Sequence, residues 1–271
     1  MSDRIHAAET LAPSATLFAE PVKWVKHWNE HLFSFAIARP PSFRFRSGEF
    51  VMIGLPGEGR PLLRAYSIAS PSYSDELEFL SIKVDDGPLT SRLKQIRPGD
   101  HLFLGRKPTG TLVADALLPG RRLFLLSTGT GLAPFLSIVR DPEIYDRFSQ
   151  VTVVHSVRKV SDLAYRDELT SLLAGDPLVQ DQALVQLDYL PTVTREKFLT
   201  SDRITTLIES GKLIERCSTA GGELSTETDR FMMCGSMAMI RDIAAMLEER
   251  GFVEGSNANP GSYVIERAFV G

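Results

Sequence analysis

The chain is 271 residues long, 43% hydrophobic and 24% charged, with a formal net charge of −4, which suits a soluble protein of two domains. Charge divides as +1 over residues 1–120 and −5 beyond, so neither half resembles a nucleic-acid binder. No stretch nears the roughly 20 apolar residues that span a bilayer, and "MSDRIHAAETLAPSA" lacks the apolar core of a secretory signal, which predicts a cytoplasmic protein with no membrane partner.

Up to residue 118 the chain reads as short strands between turns: "HLFSFAIAR" (31–39), "EFVMIGL" (49–55), "LLRAYSIA" (62–69), "ELEFLSIKV" (76–84) and "HLFLGRK" (101–107). Closely spaced strands of this kind predict an antiparallel barrel. In the third of them, alternation places Leu62, Arg64, Tyr66 and Ile68 on one face, so a permanently charged guanidinium stands in an otherwise apolar row. That pattern asks for an anion beside Arg64. "DDGPLTSRL" (85–93) offers a place for it: Gly87 and Pro88 make a turn, and Leu89, Thr90 and Ser91 present amides and hydroxyls at a helix start. The plainer alternative is an ordinary helix cap. Leu89, Leu93 and Ile96 form the buried stripe of that helix. Arg60, Arg64, Arg92, Lys94, Arg97, Arg106 and Lys107 make this half locally basic, either a solvated surface or a docking patch for an acidic partner.

Beyond "LLPGRRL" (117–123) the rhythm changes. "RLFLLS" (122–127), "QVTVVHSV" (150–157), "ALVQLDYL" (183–190), "RFMMCG" (230–235) and "SYVIERA" (262–268) alternate with helical segments, among them a stripe at Ile240, Ile243, Ala244 and Leu247. Strands alternating with helices predict a parallel sheet with crossovers. The first strand runs into "STGTGLAP" (127–134), where Gly129 and Gly131 permit a tight turn and close approach to a ligand, and Pro134 suits an early helix position. A phosphate would be welcome there, although proline replaces the third glycine of G-x-G-x-x-G and a plain tight turn is the alternative. No carboxylate follows the second strand to hold a ribose 2′-hydroxyl; Arg158 and Lys159 stand there instead, and Thr194, Arg195 and Arg203 follow. Converging arginines favour a 2′-phosphate, hence NADP(H) over NAD(H), against the alternative of exposed loop arginines. Cys217 and Cys234 are separated by 17 positions, with no C-x-x-C, and the five histidines show no ligand spacing; no iron–sulfur cluster or other metal is expected.

The motifs "RAYS" (64–67), "SIKV" (81–84), "GPLTS" (87–91), "GTGLAP" (129–134) and "CGS" (234–236), in this order, resemble ferredoxin–NADP⁺ reductases, and the terminal "ERAFVG" is most similar to the bacterial class, also called flavodoxin reductases. The resemblance implies an N-terminal FAD-binding antiparallel β-barrel over residues 1–118. It further implies a C-terminal NADP-binding, Rossmann-like α/β domain with a parallel sheet over 119–271, its tail returning to the flavin. On that pattern Tyr66 stacks on the isoalloxazine, and Arg64 with Gly87, Pro88, Leu89, Thr90 and Ser91 holds the pyrophosphate. Ala65, Ser81, Ile82, Lys83 and Val84 border the rest of the flavin. Ser67, Cys234 and Glu266 are the catalytic set: Ser67 near flavin N5, the other two lining the nicotinamide pocket with Gly235 and Ser236. Thr130 and Gly131 lie between the cofactors, while Arg158, Thr194, Arg195 and Arg203 grip the 2′-phosphate. Plant-type relatives end in an aromatic over the flavin; here Ala268 stands at that place, followed by Phe269 and a short extension. The implied activity is hydride exchange between NADPH and FAD with single electrons passed to ferredoxin or flavodoxin by a monomer. Two rivals remain at this level, a reductase that releases free reduced flavin and a non-catalytic flavin- or nucleotide-binding regulator. Cys234 as a buried structural thiol, Glu266 as a solvated strand-end charge and Tyr66 as barrel core are the corresponding residue-level alternatives.

Overall fold

The computed structural model describes residues 13–84, 87–216 and 223–266; Cys217, Ala268 and Phe269, and the two aspartates that open the 85–93 motif, lie outside the described residues. Six strands build the first sheet: Leu17–His27 (β1), Leu32–Ala38 (β2), Phe50–Leu55 (β3), Leu62–Ser67 (β4), Glu76–Ile82 (β5) and His101–Gly105 (β6), antiparallel in the order β4-β3-β6-β1-β2-β5. Every second residue turns inward: Phe33, Phe35 and Ile37 from β2, Val51, Ile53 and Leu55 from β3, Leu77 and Phe79 from β5, Leu102 and Leu104 from β6. The two edge strands β4 and β5 curl towards each other, joined by the Tyr66 and Ser81 hydroxyls at 3.0 Å and by the Ala69 N–H to the Glu78 carbonyl at 2.8 Å. The short helix Thr90–Leu93 (α1) plugs the barrel with Leu89, Leu93 and Ile96, the stripe that the sequence predicts.

β1 is absent from the sequence reading. It pairs with β6 through Leu17–Pro21, then with β2 from Val22 onward, with an irregularity between Val22 and Trp24. A strand that changes partners at a proline loses a ladder donor and its clean alternation, which is what hid it.

The second sheet is parallel, in the order β11-β10-β7-β8-β9, from Arg122–Thr128 (β7), Gln150–Val157 (β8), Leu187–Val193 (β9), Asp229–Cys234 (β10) and Tyr263–Glu266 (β11). Its helices are Ala133–Ile138 (α2), Pro142–Arg147 (α3), Arg166–Thr170 (α4), Gln180–Gln186 (α5), Ile204–Glu209 (α6), Lys212–Glu215 (α7) and Met237–Glu248 (α8). Leu123, Leu125, Val151, Val153, Met232 and Val264 face α2, while Phe124, Leu126, Val154, Phe231, Met233 and Ile265 face α6 to α8. Covered on both faces, β8 is buried at all eight residues. The expected strand over 183–190 is corrected: its first half is the end of α5, leaving Leu184 and Val185 exposed, and the strand runs Leu187–Val193 through Pro191. The amide of Gln186 donates to the carbonyls of Tyr145 and Phe148, which fixes the helix end there.

The α2 face of the parallel sheet also takes in Leu32, Ala69 and Leu80 of the barrel, so one apolar cluster runs through both halves. Polar groups stitch the same junction. The Tyr165 hydroxyl meets Ser34 Oγ at 2.5 Å and Glu78 Oε1 at 2.6 Å, Trp28 Nε1 donates to Ser34 Oγ at 2.9 Å, and burial holds the Glu78 carboxyl above its ordinary range. The connection between sheets is held by the buried guanidinium of Arg230, which donates to the Leu118 and Pro119 carbonyls.

Candidate active site at the barrel seam and the sheet switch point

Edge strand β4 supplies the first part. Leu62, Tyr66 and Ile68 belong to the barrel cluster, whereas Arg64 in the same row is exposed, its guanidinium donating only to the neighbouring Leu63 carbonyl among the described residues. Tyr66 is 8% exposed, packs edge-on against Phe35 and Phe79, and has its hydroxyl raised above the usual phenol range by burial, offset in part by Ser81. Much of that ring is therefore barrel core, at the seam between β4 and β5. Ala65 pairs with Met52. Ser67, at the strand end, is 4% exposed and its Oγ has no hydrogen-bond partner among the described residues, a state that costs about 1–3 kcal/mol unless something supplies one.

Across the seam, the Ser81 hydroxyl is taken by Tyr66, Ile82 and Val84 are exposed, and the Lys83 N–H donates to the His31 carbonyl at 2.6 Å. The 87–91 turn is more self-contained than its sequence suggests. Thr90 Oγ1 bridges the N–H and C=O of Val84, the Ser91 N–H donates to the Gly87 carbonyl, and a Cβ at Gly87 would sit 2.3 Å from Thr90 Oγ1. Pro88 has no N–H to give. Among the described residues, the Leu89 and Thr90 amides and the Ser91 hydroxyl are the groups of this turn left to receive an anion.

The strand order of the parallel sheet reverses between β7 and β10, and such a switch point, at the carboxyl ends of the strands, is where open α/β sheets bind ligands. Two glycine turns meet there. Gly129 takes φ +54° with open space where a Cβ would be, as expected for a turn facing a ligand. Gly131 is glycine for a different reason than its motif implies: a Cβ would fall 2.2 Å from the Cys234 carbonyl oxygen, so its close approach is to the partner turn. Gly235, at φ +142°, reciprocates, a Cβ there meeting Thr128 Oγ1 at 2.1 Å. Thr128 Oγ1 also accepts from the Ser236 N–H at 2.8 Å, and the Ser236 hydroxyl caps α8 at Met239. Thr130 lies half-buried in the 3₁₀ turn between the glycines, and Pro134 occupies the first turn of α2.

Cys234 and Glu266 are register partners on β10 and β11. The thiol is fully buried and held well above its ordinary range, first by desolvation and then by the Glu266 charge. Glu266 is 6% exposed, with Oε2 facing the Thr111 N–H at 3.4 Å; a solvated strand-end charge is thereby excluded. Ser67 is linked to this pair through backbone pairing. It is in register with Phe50, whose N–H and C=O both pair with Thr109, two residues before Thr111.

At the far ends of β8 and β9, the Thr194 N–H and hydroxyl both donate to the Val157 carbonyl, and the Arg195 N–H donates to the Arg158 carbonyl at 3.0 Å. Arg203 stands at the N-cap of α6, beside Asp202, whose carbonyl takes the Thr192 hydroxyl. Arg158, Arg195 and Arg203 are all exposed, and none of the three guanidinium groups has a hydrogen bond or ion pair among the described residues. Thr194, by contrast, has its hydroxyl committed.

Thr128, His155 and Thr111 escape sequence reasoning. His155 on β8 is buried beneath the Gly129 turn, its Nδ1 3.3 Å from the Tyr189 hydroxyl, and its pKa pushed down to about 4 by desolvation, partly offset by the Gly129 backbone. Thr128 lies within the 127–134 motif, but the role of each of the three is hidden because it acts on a segment far along the chain.

The residues fit a flavin dinucleotide and a nicotinamide dinucleotide on structural grounds: among the described residues, a buried hydroxyl at Ser67 without a partner, an exposed guanidinium at Arg64 bonded only to its neighbour's carbonyl, an open glycine turn at the switch point and three exposed, unpaired arginines beyond it. Among the described residues no group of histidines, cysteines or carboxylates could hold a metal, and no helix is long and apolar enough to cross a membrane. Two family models match the chain, an oxidoreductase FAD-binding domain over residues 23–113 and an oxidoreductase NAD-binding domain over residues 125–245. The chain is 52% identical to the ferredoxin–NADP reductase of Pseudomonas aeruginosa, over 94% of this chain and 99% of that protein. It is 51% identical to the flavodoxin/ferredoxin–NADP reductase of Rhodobacter capsulatus, over 96% and 97%. The crystal structure of a ferredoxin NADP⁺ reductase from Neisseria gonorrhoeae with bound FAD and NADP superposes with a TM-score of 0.85 at 33% identity, covering 94% of this chain and all of that one. Seam, switch point and sequence kinship converge, and the chain belongs to the ferredoxin–NADP reductase family of oxidoreductases.

Proposed function

We propose that the protein binds FAD at the barrel seam and NADPH at the carboxyl edge of the parallel sheet, exchanges hydride between them, and passes single electrons to ferredoxin or flavodoxin as a cytoplasmic monomer. Residues 1–118 serve as the FAD domain and 119–271 as the NADP domain. Ser67 carries the reading: a buried hydroxyl without a partner, at the end of the strand that bears Arg64, tied by backbone to the Cys234–Glu266 pair.

Bound FAD supplies the redox chemistry, accepting two electrons as hydride and releasing them one at a time. The chain supplies placement. Arg64 offsets diphosphate charge with a forked donor set, together with the amide edge at Leu89 and Thr90. Tyr66 gives the ring system an apolar wall, and the backbone edge around Ala65 and from Ser81 to Val84 borders it. Ser67, able to donate or accept, satisfies a flavin nitrogen in either protonation state. Cys234, kept neutral by burial and by Glu266, is a small polarisable wall rather than a nucleophile. Gly129 and Thr130 present the turn between the two cofactor sites, with Gly131, Gly235 and Ser236 locking it in place. Arg158, Arg195 and Arg203 receive the 2′-phosphate, with Thr194 fixing the backbone between them.

Gel filtration followed by NADPH-driven reduction of ferredoxin tests the function. The protein is expected to keep its FAD through the column and reduce ferredoxin without added flavin; loss of flavin, with turnover only on its addition, would mean release of free reduced flavin instead.

A further inference from the structure

We infer that Thr111, braced by Gly110 and Asn257, is the positioning residue for the Glu266 carboxylate and ties it to Ser67 through a short backbone track. This rests on Glu266 acting beside the nicotinamide, the role that the family resemblance implies for it.

β11 is an edge strand of the parallel sheet: apart from a bridge between Tyr263 and Glu254 at its start, it pairs with β10 alone among the described residues, so its outer rim at the catalytic end has no ladder among them to hold it. Thr111 takes that role. Its Oγ1 donates to the Ile265 carbonyl at 2.5 Å, the residue before Glu266, and its N–H faces Glu266 Oε2 at 3.4 Å. One residue thus holds both the backbone and the carboxylate of the strand end. Gly110 forms the wall behind: φ is +153°, a backbone conformation that strains a side chain, and a Cβ there would lie 3.2 Å from Glu266 Oε2 and 3.3 Å from the Glu49 Cα, tighter than ordinary contact. Asn257, in the loop that leads into β11, donates from Nδ2 to the Gly110 carbonyl at 2.9 Å. The other end of the track is equally fixed. Thr109 exchanges two hydrogen bonds with Phe50, at 2.8 and 3.0 Å, and Phe50 is in register with Ser67 on β4. Ser67 comes from the barrel and Glu266 from the parallel sheet, yet only the segment 109–111 separates their supports. A catalytic pair split between two domains needs such a device, since a displacement of one ångström is enough to slow an aligned reaction severely.

The variants Thr111→Val, Thr111→Ser, Asn257→Ala and Glu266→Gln, with the double variant Thr111→Val/Glu266→Gln, are compared in single-turnover flavin reduction by NADPH. NADP⁺ binding is measured alongside, and hydrogen exchange of residues 263–266 is followed in protein freed of FAD. Thr111→Val is expected to slow flavin reduction about tenfold, the value of one hydrogen bond, with NADP⁺ affinity unchanged and exchange at β11 faster. Thr111→Ser restores both, Asn257→Ala shifts both in the same direction, and the double variant is no slower than Glu266→Gln alone, since the threonine acts through the glutamate. Additive losses in the double variant, equal losses in the Val and Ser variants, or unchanged rate and exchange in Thr111→Val would overturn the inference while leaving Glu266 in its role. Should Thr111→Val not fold, Asn257→Ala, on an exposed loop, carries the same test, and an unchanged rate and exchange there would overturn it. Unimpaired reduction by Glu266→Gln would instead remove the reading on which it stands.

Discussion

Arg64 is the residue that the sequence exposes most plainly, because an arginine in the row Leu62–Tyr66–Ile68 violates strand alternation. In the structure it is the one fully exposed member of that row, with Leu62 half-buried and Tyr66 and Ile68 buried. The three arginines beyond the parallel sheet are legible in the same way, as charge where a carboxylate would serve NAD. Arg158→Asp with Arg203→Ala should raise KM for NADPH at least about tenfold, one charged hydrogen bond being worth about 1.5–3 kcal/mol, and leave KM for NADH nearly unchanged. Equal effects on both cofactors would remove the 2′-phosphate assignment. His155 makes a prediction of a different kind. Its imidazole stays neutral in the fold down to about pH 4, whereas an unfolded chain protonates near pH 6.5. Between those values the unfolded state holds more protons, so stability falls as pH drops through the window, by up to about 3 kcal/mol. Denaturant titration of His155→Gln between pH 4 and 7 should show a flatter profile than the parent; an identical profile would contradict the buried neutral imidazole. His155 and Thr111 were not legible because their partners lie dozens of residues away.

The element scale divides along the same line. Strands with clean alternation or an unbroken apolar run, β2 to β8 and β10, read directly, and so does the stripe of α8 that buries Ile240, Ile243 and Leu247. β1 and β9 do not: a proline interrupts each, β1 changes sheet partners, and β9 follows a helix whose Leu184 and Val185 imitate a strand start. The turns show a subtler limit. Gly129 and Gly131 look equivalent in the motif, yet the first opens onto solvent and the second lies against the Cys234 carbonyl. Gly131→Ala should therefore destabilise the fold by about 1–3 kcal/mol, as overpacking does, and raise KM for NADPH, because backbone cannot yield as a side chain can. A melting temperature and KM equal to the parent's would show that the two turns are not in such contact.

For the whole molecule, one apolar cluster shared by barrel and sheet, reinforced by the Trp28–Ser34–Tyr165–Glu78 contacts, argues against free movement of the two halves. The seam between the halves is then fixed, and the first half, which forms one side of it, carries the basic set of Arg60, Arg64, Arg92, Lys94, Arg97, Arg106 and Lys107. Of that basic set, Arg92 is bonded to the Pro56 carbonyl and Arg106 to the Ser14 carbonyl, while Arg60, Arg64, Arg97 and Lys107 remain exposed. Attraction of an acidic electron carrier to such a surface is screened by salt, so KM for ferredoxin should rise with ionic strength while NADPH–ferricyanide turnover changes little; a salt-independent KM would deny the patch its role. Most directly decisive is an anaerobic NADPH titration of the purified protein followed in the visible range. One equivalent of tightly bound FAD per chain should be present, and NADPH should abolish its oxidised absorbance; a protein that is colourless, and stays so after incubation with FAD, would contradict a flavin at the barrel seam.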